Sequence, residues 1–119
     1  MKAPEKKAEI SRVTRQRVSP GLTRVATLDR QSVLHAVIRD ILLGEITQGE
    51  ALKKLRVDVL GLKQDQYAEL VKVSRKTLSD VENDKGNYSV DVINKIFKPF
   101  GLETGLVPTS KTLMSSLLA

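Results

Sequence analysis

The chain has 119 residues, a net charge of +6, 3% aromatics and no cysteine. That length gives one small domain plus some extra chain, with a core built from Leu, Val and Ile. Disulfides and thiolate metal sites are excluded, and no run approaches the ~18 apolar residues of a membrane span.

The charge is uneven. Residues 1–27 hold seven Lys/Arg against two Asp/Glu, a balance of +5, so the remainder is close to neutral. Residues 1–27 therefore read as a basic, flexible arm, interrupted by Ser19-Pro20-Gly21. The start "MKAPEKKAEI" has bases but no apolar stretch behind them, so a secretory leader is not expected and the cytoplasm is. Residues 28–45 read as an additional amphipathic helix. Asp29 is its candidate cap, and Leu34, Val37, Ile38, Ile41 and Leu42 follow the i, i+3, i+4, i+7, i+8 template until Gly44 ends it.

Residues 46–108 carry the densest pattern. Thr47 and Glu50 have capping-box spacing, with Ile46 and Ala51 placed as a hydrophobic staple. Leu52, Leu55 and Val59 continue the stripe, predicting a helix from Gln48 to Leu60 that Gly61 stops. "KQDQYAELV" predicts a short helix that buries Leu70 with Tyr67 or Ala68. In "VSRKTLSDVEN", Ser74 is a candidate N-cap. Leu78 and Val81 share one face of the helix it starts, and Arg75, Lys76, Ser79 and Asp80 share the other. Ser89 then caps a helix carrying Val90, Ile93, Ile96 and Phe97, stopped by Pro99 and Gly101. Leu102 to Val107 alternates as a short strand. Residues 109–119 read as a frayed tail. The fold class expected is all-α, with one short C-terminal β-strand.

Arg75 and Lys76 stand at a helix N-terminus, where the macrodipole disfavours cations unless an anion is present. Two short helices joined by a tight turn on a helical scaffold form a helix-turn-helix, in which the first crosses the DNA backbone and the second enters the major groove. A DNA phosphate or base edge would then neutralise both cations. Ala68 sits where the short helices come closest, and a larger side chain there would overpack by about 1–3 kcal/mol.

"LKQDQYAELVKVSRKTLSDVEN" resembles the helix-turn-helix of the XRE/Cro family of phage and bacterial repressors, with a lambda-repressor-like bundle. Gln64, Ala68, Val73, Ser74, Leu78, Val81, Glu82 and Asn83 match its pattern in order and spacing, and the likeness runs from about Thr47 to Val107. The resemblance implies base-edge contacts from Arg75, Lys76, Thr77, Ser79 and Asp80. It implies phosphate contacts from Lys63, Gln64, Ser74, Asn83 and Lys85. Asp80 could accept from cytosine N4 or form an intrahelical pair with Lys76, and the pair is favoured. Three positions depart from the pattern. Lys72 replaces a turn Gly, Asp84 replaces the Gly after Asn83 and puts an acid near the phosphates, and Tyr67 replaces a smaller aliphatic.

"FKPFGLETGLVP" resembles the C-terminal extension of HipB-like antitoxins, in which a last strand pairs with its symmetry mate. That likeness implies a homodimer through Leu102, Thr104 and Leu106, bound to double-stranded operator DNA with two-fold symmetry. The function it implies is a sequence-specific transcriptional repressor that is also an autoregulatory antitoxin, with a cognate toxin partner such as a HipA-like kinase. The protein would be cytoplasmic, and nucleoid-associated when bound. A stand-alone phage-type repressor and a protein-interaction module reusing the fold are the alternatives.

Plainer readings apply elsewhere. His35 reads as a surface or interface residue, and the stripe from Leu34 to Leu42 as core or dimer contact. The basic arm either follows DNA, along the phosphates or into the minor groove, or has no fixed partner. Catalysis finds no nucleophile beside a base, no set of metal ligands and no Gly-rich phosphate loop. No enzyme activity, cofactor or metal is expected.

Overall fold

The computed structural model describes residues 20–119, with side chains from residue 29. The expected arm therefore lies outside the described residues as far as residue 19. Six α-helices occur among the described residues: α1 Pro20–Leu42, α2 Gln48–Lys54, α3 Gln64–Val71, α4 Arg75–Glu82, α5 Val90–Phe97 and α6 Lys111–Leu118. Two compact units divide the chain, Met1–Ser32 and Val33–Ala119, with the boundary inside α1. The second unit holds the C-terminal part of α1 and every later helix.

Pro20 and Gly21 do not break structure as the sequence implied: both lie in α1, whose described part begins at Pro20. Asp29 consequently lies within α1 and caps nothing. In the second unit Val37 is buried, while Val33, Leu34 and Ile41 pack against the core from its edge. Gly44, left-handed at φ 70°, follows the helix end.

Thr47 and Glu50 close a reciprocal cap on α2: the Glu50 N–H donates to Thr47 Oγ1 at 3.1 Å, and the Thr47 N–H to Glu50 Oε1 at 2.8 Å. The helix expected as far as Leu60 is present but changes character. From Leu55 to Leu60 it widens into π-helical turns, and Gly61 ends it in the left-handed region at φ 64°. Such turns are rare; this one begins at Leu55, beside the buried Arg56.

The core is aliphatic with an aromatic centre. Leu52, Leu55, Tyr67, Leu78 and Ile96 are fully buried. The Tyr67 ring stacks on Phe100 at 5.9 Å between centroids, and its hydroxyl donates to the Ile96 carbonyl at 2.5 Å. Burial, and then the charge of Glu82, raise the Tyr67 phenol well above its ordinary range. In α3 the buried residues are Tyr67, Ala68 and Val71, and Leu70 is 54% exposed. The expected burial of Leu70 is thus corrected: Val71, one residue on, continues the face begun by Tyr67 and Ala68. Val90 is likewise exposed, leaving Ile96 and Phe97 as the buried residues of α5.

No strand occurs among the described residues, and Leu102–Val107 lies outside every helix. Residues 109–119 are not a frayed tail. The Ser110 hydroxyl accepts from the Leu113 N–H at 3.1 Å to start α6, and Met114 is buried. No helix among the described residues is long and apolar enough to cross a membrane.

Candidate nucleic-acid interface

The segment α3–turn–α4 is built by local capping. The Lys63 N–H, just before α3, donates to Gln66 Oε1 at 2.9 Å. At the other end Lys72 is left-handed (φ 61°), its N–H reaches the Glu69 carbonyl, and the Val73 N–H reaches Ala68 at 3.0 Å. The chain thus turns where the sequence carries Lys in place of Gly. Ser74 starts α4 as expected, its Oγ accepting from the Thr77 N–H at 3.0 Å.

A side chain in the left-handed region costs about 1–2 kcal/mol. Lys72→Gly should therefore raise stability by about 1 kcal/mol, read as a higher urea midpoint. Asp84 has the same backbone strain (φ 56°) but a different use. Its carboxylate accepts from the Gly49 N–H at 2.9 Å and from the Thr47 hydroxyl at 2.7 Å, binding the loop after α4 to the start of α2. Asp84→Gly should lower stability by about 1 kcal/mol, because charge-assisted bonds outweigh the strain relieved. Two substitutions to the same residue would then move the midpoint in opposite directions.

Helix α4 divides sharply. Leu78, Val81 and Glu82 are buried, whereas Arg75 and Lys76 are exposed and Thr77, Ser79 and Asp80 are half-buried. The five expected base-contacting residues are therefore all at least partly open to solvent. Arg75 Nε lies 3.3 Å from Asp65 of α3, with both side chains largely exposed. Lys76 Nζ donates to Asp80 Oδ2 at 3.1 Å, the intrahelical pair that the sequence favoured. The Tyr88 hydroxyl donates to the same oxygen at 2.7 Å. That bond, then the one from Lys76, holds the Asp80 carboxyl below its usual range. Asp80 in turn raises the Lys76 ammonium.

The five expected phosphate-contacting residues are in varied states. Lys63 and Lys85 are exposed. Ser74 also donates to Thr77 Oγ1 at 2.9 Å, and Asn83 Nδ2 donates back to the Ser79 carbonyl at 2.8 Å. Gln64 is half-buried, its Nε2 donating to Glu82 Oε1 at 3.0 Å, so one of its amide hydrogens is already engaged. The three residues expected to dimerise are also in varied states. Leu102 packs against the core, the Thr104 N–H donates to Asn94 Oδ1 at 2.7 Å, and Leu106 is wholly exposed.

Beneath the surface lies a feature that the sequence did not reveal. Arg56 and Glu82 are both buried and paired in a fork, Nε to Oε2 at 2.6 Å and Nη2 to Oε1 at 2.9 Å. Arg56 Nη1 also donates to the Leu62 carbonyl at 2.7 Å. The fork ties the wide turn after α2 to the end of α4, and through Gln64 it reaches the start of α3. Each of the three helices is thereby held to the others by one carboxylate.

Residues 52–107 match a family model described as Helix-turn-helix. The match, of the XRE/lambda-repressor type, covers a little under half of the chain and encloses α3, α4 and α5. The divided face of α4 is thus the outer surface of the second helix of a helix-turn-helix match. No significant match was found to a curated protein or to a solved structure.

Proposed function

We propose that the chain is a sequence-specific DNA-binding transcription repressor that occupies a palindromic operator as a homodimer. The observation that carries this reading is the outer face of α4. It is polar and basic within a helix-turn-helix match, with Arg75 and Lys76 at its exposed N-terminal turn. In this reading α4 enters the major groove. Arg75 or Lys76 pairs with guanine O6 and N7, worth about 1–3 kcal/mol of discrimination, and Lys63 and Lys85 meet phosphates. Repression is steric: the dimer covers a promoter. The reading includes no catalytic step and no cofactor, and places the protein in the cytoplasm.

The dimer contact proposed is Leu102–Val107. Leu106 is wholly exposed, Val107 about half, and an apolar groove of ≈ 380 Å³ opens beside them among Ile38, Ile41, Phe97 and Leu102. The same groove supports a second reading, in which this face takes another protein. A toxin such as a HipA-like kinase would make the chain an autoregulating antitoxin that does both jobs.

Fluorescence anisotropy on the chain's own upstream DNA, beside a scrambled duplex and across a salt series, tests the proposal. The upstream duplex should be preferred by about a thousandfold or more. Log K should fall with log salt by about 0.9 per phosphate neutralised. Arg75→Ala should relax base preference, whereas Lys63→Ala should weaken both duplexes equally. Equal, weak binding to both duplexes would reject operator reading and leave the protein-binding face as the working surface.

A further inference from the structure

The two bases at the start of α4 are held in different ways. Arg75 is paired with Asp65, whose side chain is 76% exposed. Lys76 is paired with Asp80, whose side chain is only 23% exposed and also accepts from the Tyr88 hydroxyl. Tyr88 lies in the loop between α4 and α5, and its ring packs against the edge of the core. It also crosses Gly86, where an added Cβ would meet Tyr88 Cε2 at 2.6 Å. The ring is thereby fixed on two sides. Its hydroxyl reaches the oxygen that accepts from Lys76, Asp80 Oδ2. A continuous line runs from the core edge through Tyr88 and Asp80 to the Lys76 ammonium.

We propose that Tyr88 is a positioning residue for base reading by Lys76, an inference that rests on the DNA-reading function above. A lysine ammonium is a point charge on a flexible four-carbon stem, free to reach phosphates and bases of many kinds. It has three N–H donors. Asp80 takes one of them, and Tyr88 fixes Asp80, so the other two are presented from one place on the outer face of α4. Lys76 then acts as a directed donor, suited to the paired acceptors of guanine. Without the Tyr88 hydroxyl, Asp80 loses its fixed partner and Lys76 keeps its charge but loses its aim. The expected signature is a loss of discrimination with little change in electrostatic affinity.

Selection from randomised duplexes tests this on wild type, Tyr88→Phe, Lys76→Ala and the double variant, each checked for folding by circular dichroism. The wild type should enrich a defined motif. Tyr88→Phe, which keeps the ring, should enrich the same motif with discrimination reduced about fivefold, the worth of one hydrogen bond. That loss should fall at the base pair that Lys76→Ala also relaxes. Its salt slope should equal the wild type's, since no charge is removed, and the double variant should match Lys76→Ala alone. The proposal is overturned if Tyr88→Phe keeps full discrimination, weakens every position equally, or adds a further loss in the Lys76→Ala background. A wild type that enriches no motif rejects the DNA-reading function itself, which is a different result from a wild-type motif left untouched by Tyr88→Phe.

Discussion

Glu82→Ala should destabilise the fold by about 3–5 kcal/mol, a large share of the total of about 5–15 kcal/mol that an ordinary domain has. The reason is what the substitution leaves behind. Arg56 is buried, and two of its nitrogens donate to Glu82. Removing the carboxylate strands a guanidinium that cannot shed its charge, with only the Leu62 carbonyl still bonded to it. Gln64 loses its acceptor in the same step. The pair itself is a different matter, because desolvating two ions offsets most of their attraction. Arg56→Met combined with Glu82→Leu should therefore recover most of the loss, ending within about 1–2 kcal/mol of wild type. Urea unfolding of Arg56→Met, Glu82→Leu and the double variant gives the cycle, with Glu82→Ala measured beside them. A Glu82→Ala loss below about 1 kcal/mol would show that the fork contributes little to holding the three helices together.

Gly49→Ala is the second large effect, and its direction runs against local propensity. In an isolated helix the change would gain about 1 kcal/mol, and Gly49 does not have a positive φ. The tertiary contact reverses the sign. An added Cβ would stand 2.5 Å from the Glu82 carbonyl oxygen and 2.6 Å from that of Val81, with Asp84 Oδ1 at 2.8 Å. Two of these atoms are backbone at the end of α4, so no flexible side chain can move aside. Helix α2 must back away, weakening the Asp84 bonds to Gly49 and Thr47 as it does. The net cost should be about 2–3 kcal/mol, read as a fall of about 10 °C or more in melting temperature. An unchanged or raised melting temperature would mean that α2 and α4 are not so closely packed.

The sequence discloses the fold where the causes are local. Thr47 with Glu50, Ser74 and Ser89 cap helices as their spacing implies, because each bond spans three residues. Leu78 and Val81 face inward for the same reason, since helical period relates neighbours on one face. Failures occur where the deciding partner is distant. Arg56 and Glu82 are separated by 26 residues, and nothing near either marks it as buried. Asp84 reads in the sequence as an acid close to phosphates, yet its carboxylate caps α2 from 35 residues away. Short apolar runs account for the other errors. In "YAELV" a shift of one residue exchanges Leu70 for Val71, and in "KTLMSSLLA" the Ser110 cap and the burial of Met114 go with an ordered helix. On the outer face of α4, the residue types are legible. What the sequence could not supply is Tyr88, whose reach to Asp80 depends on the path of the loop across Gly86.

The buried hydroxyl of Tyr67 has an optical consequence. The chain contains no tryptophan and two tyrosines, so its near-ultraviolet absorbance comes chiefly from Tyr67 in the core and Tyr88 beside the outer face of α4. Phenolate formation can be followed by absorbance during an alkaline titration. Tyr67 has a folded-state pKa raised above its unfolded value of 10.0. The stability this represents is fully present below about pH 10 and is lost as pH rises beyond it. One chromophore thus keeps its proton until the core opens, while the other stands where a bound polyanion would pass. The molecule has a built-in pair of spectroscopic reporters, one for the opening of its core and one for events at its surface, with no added label.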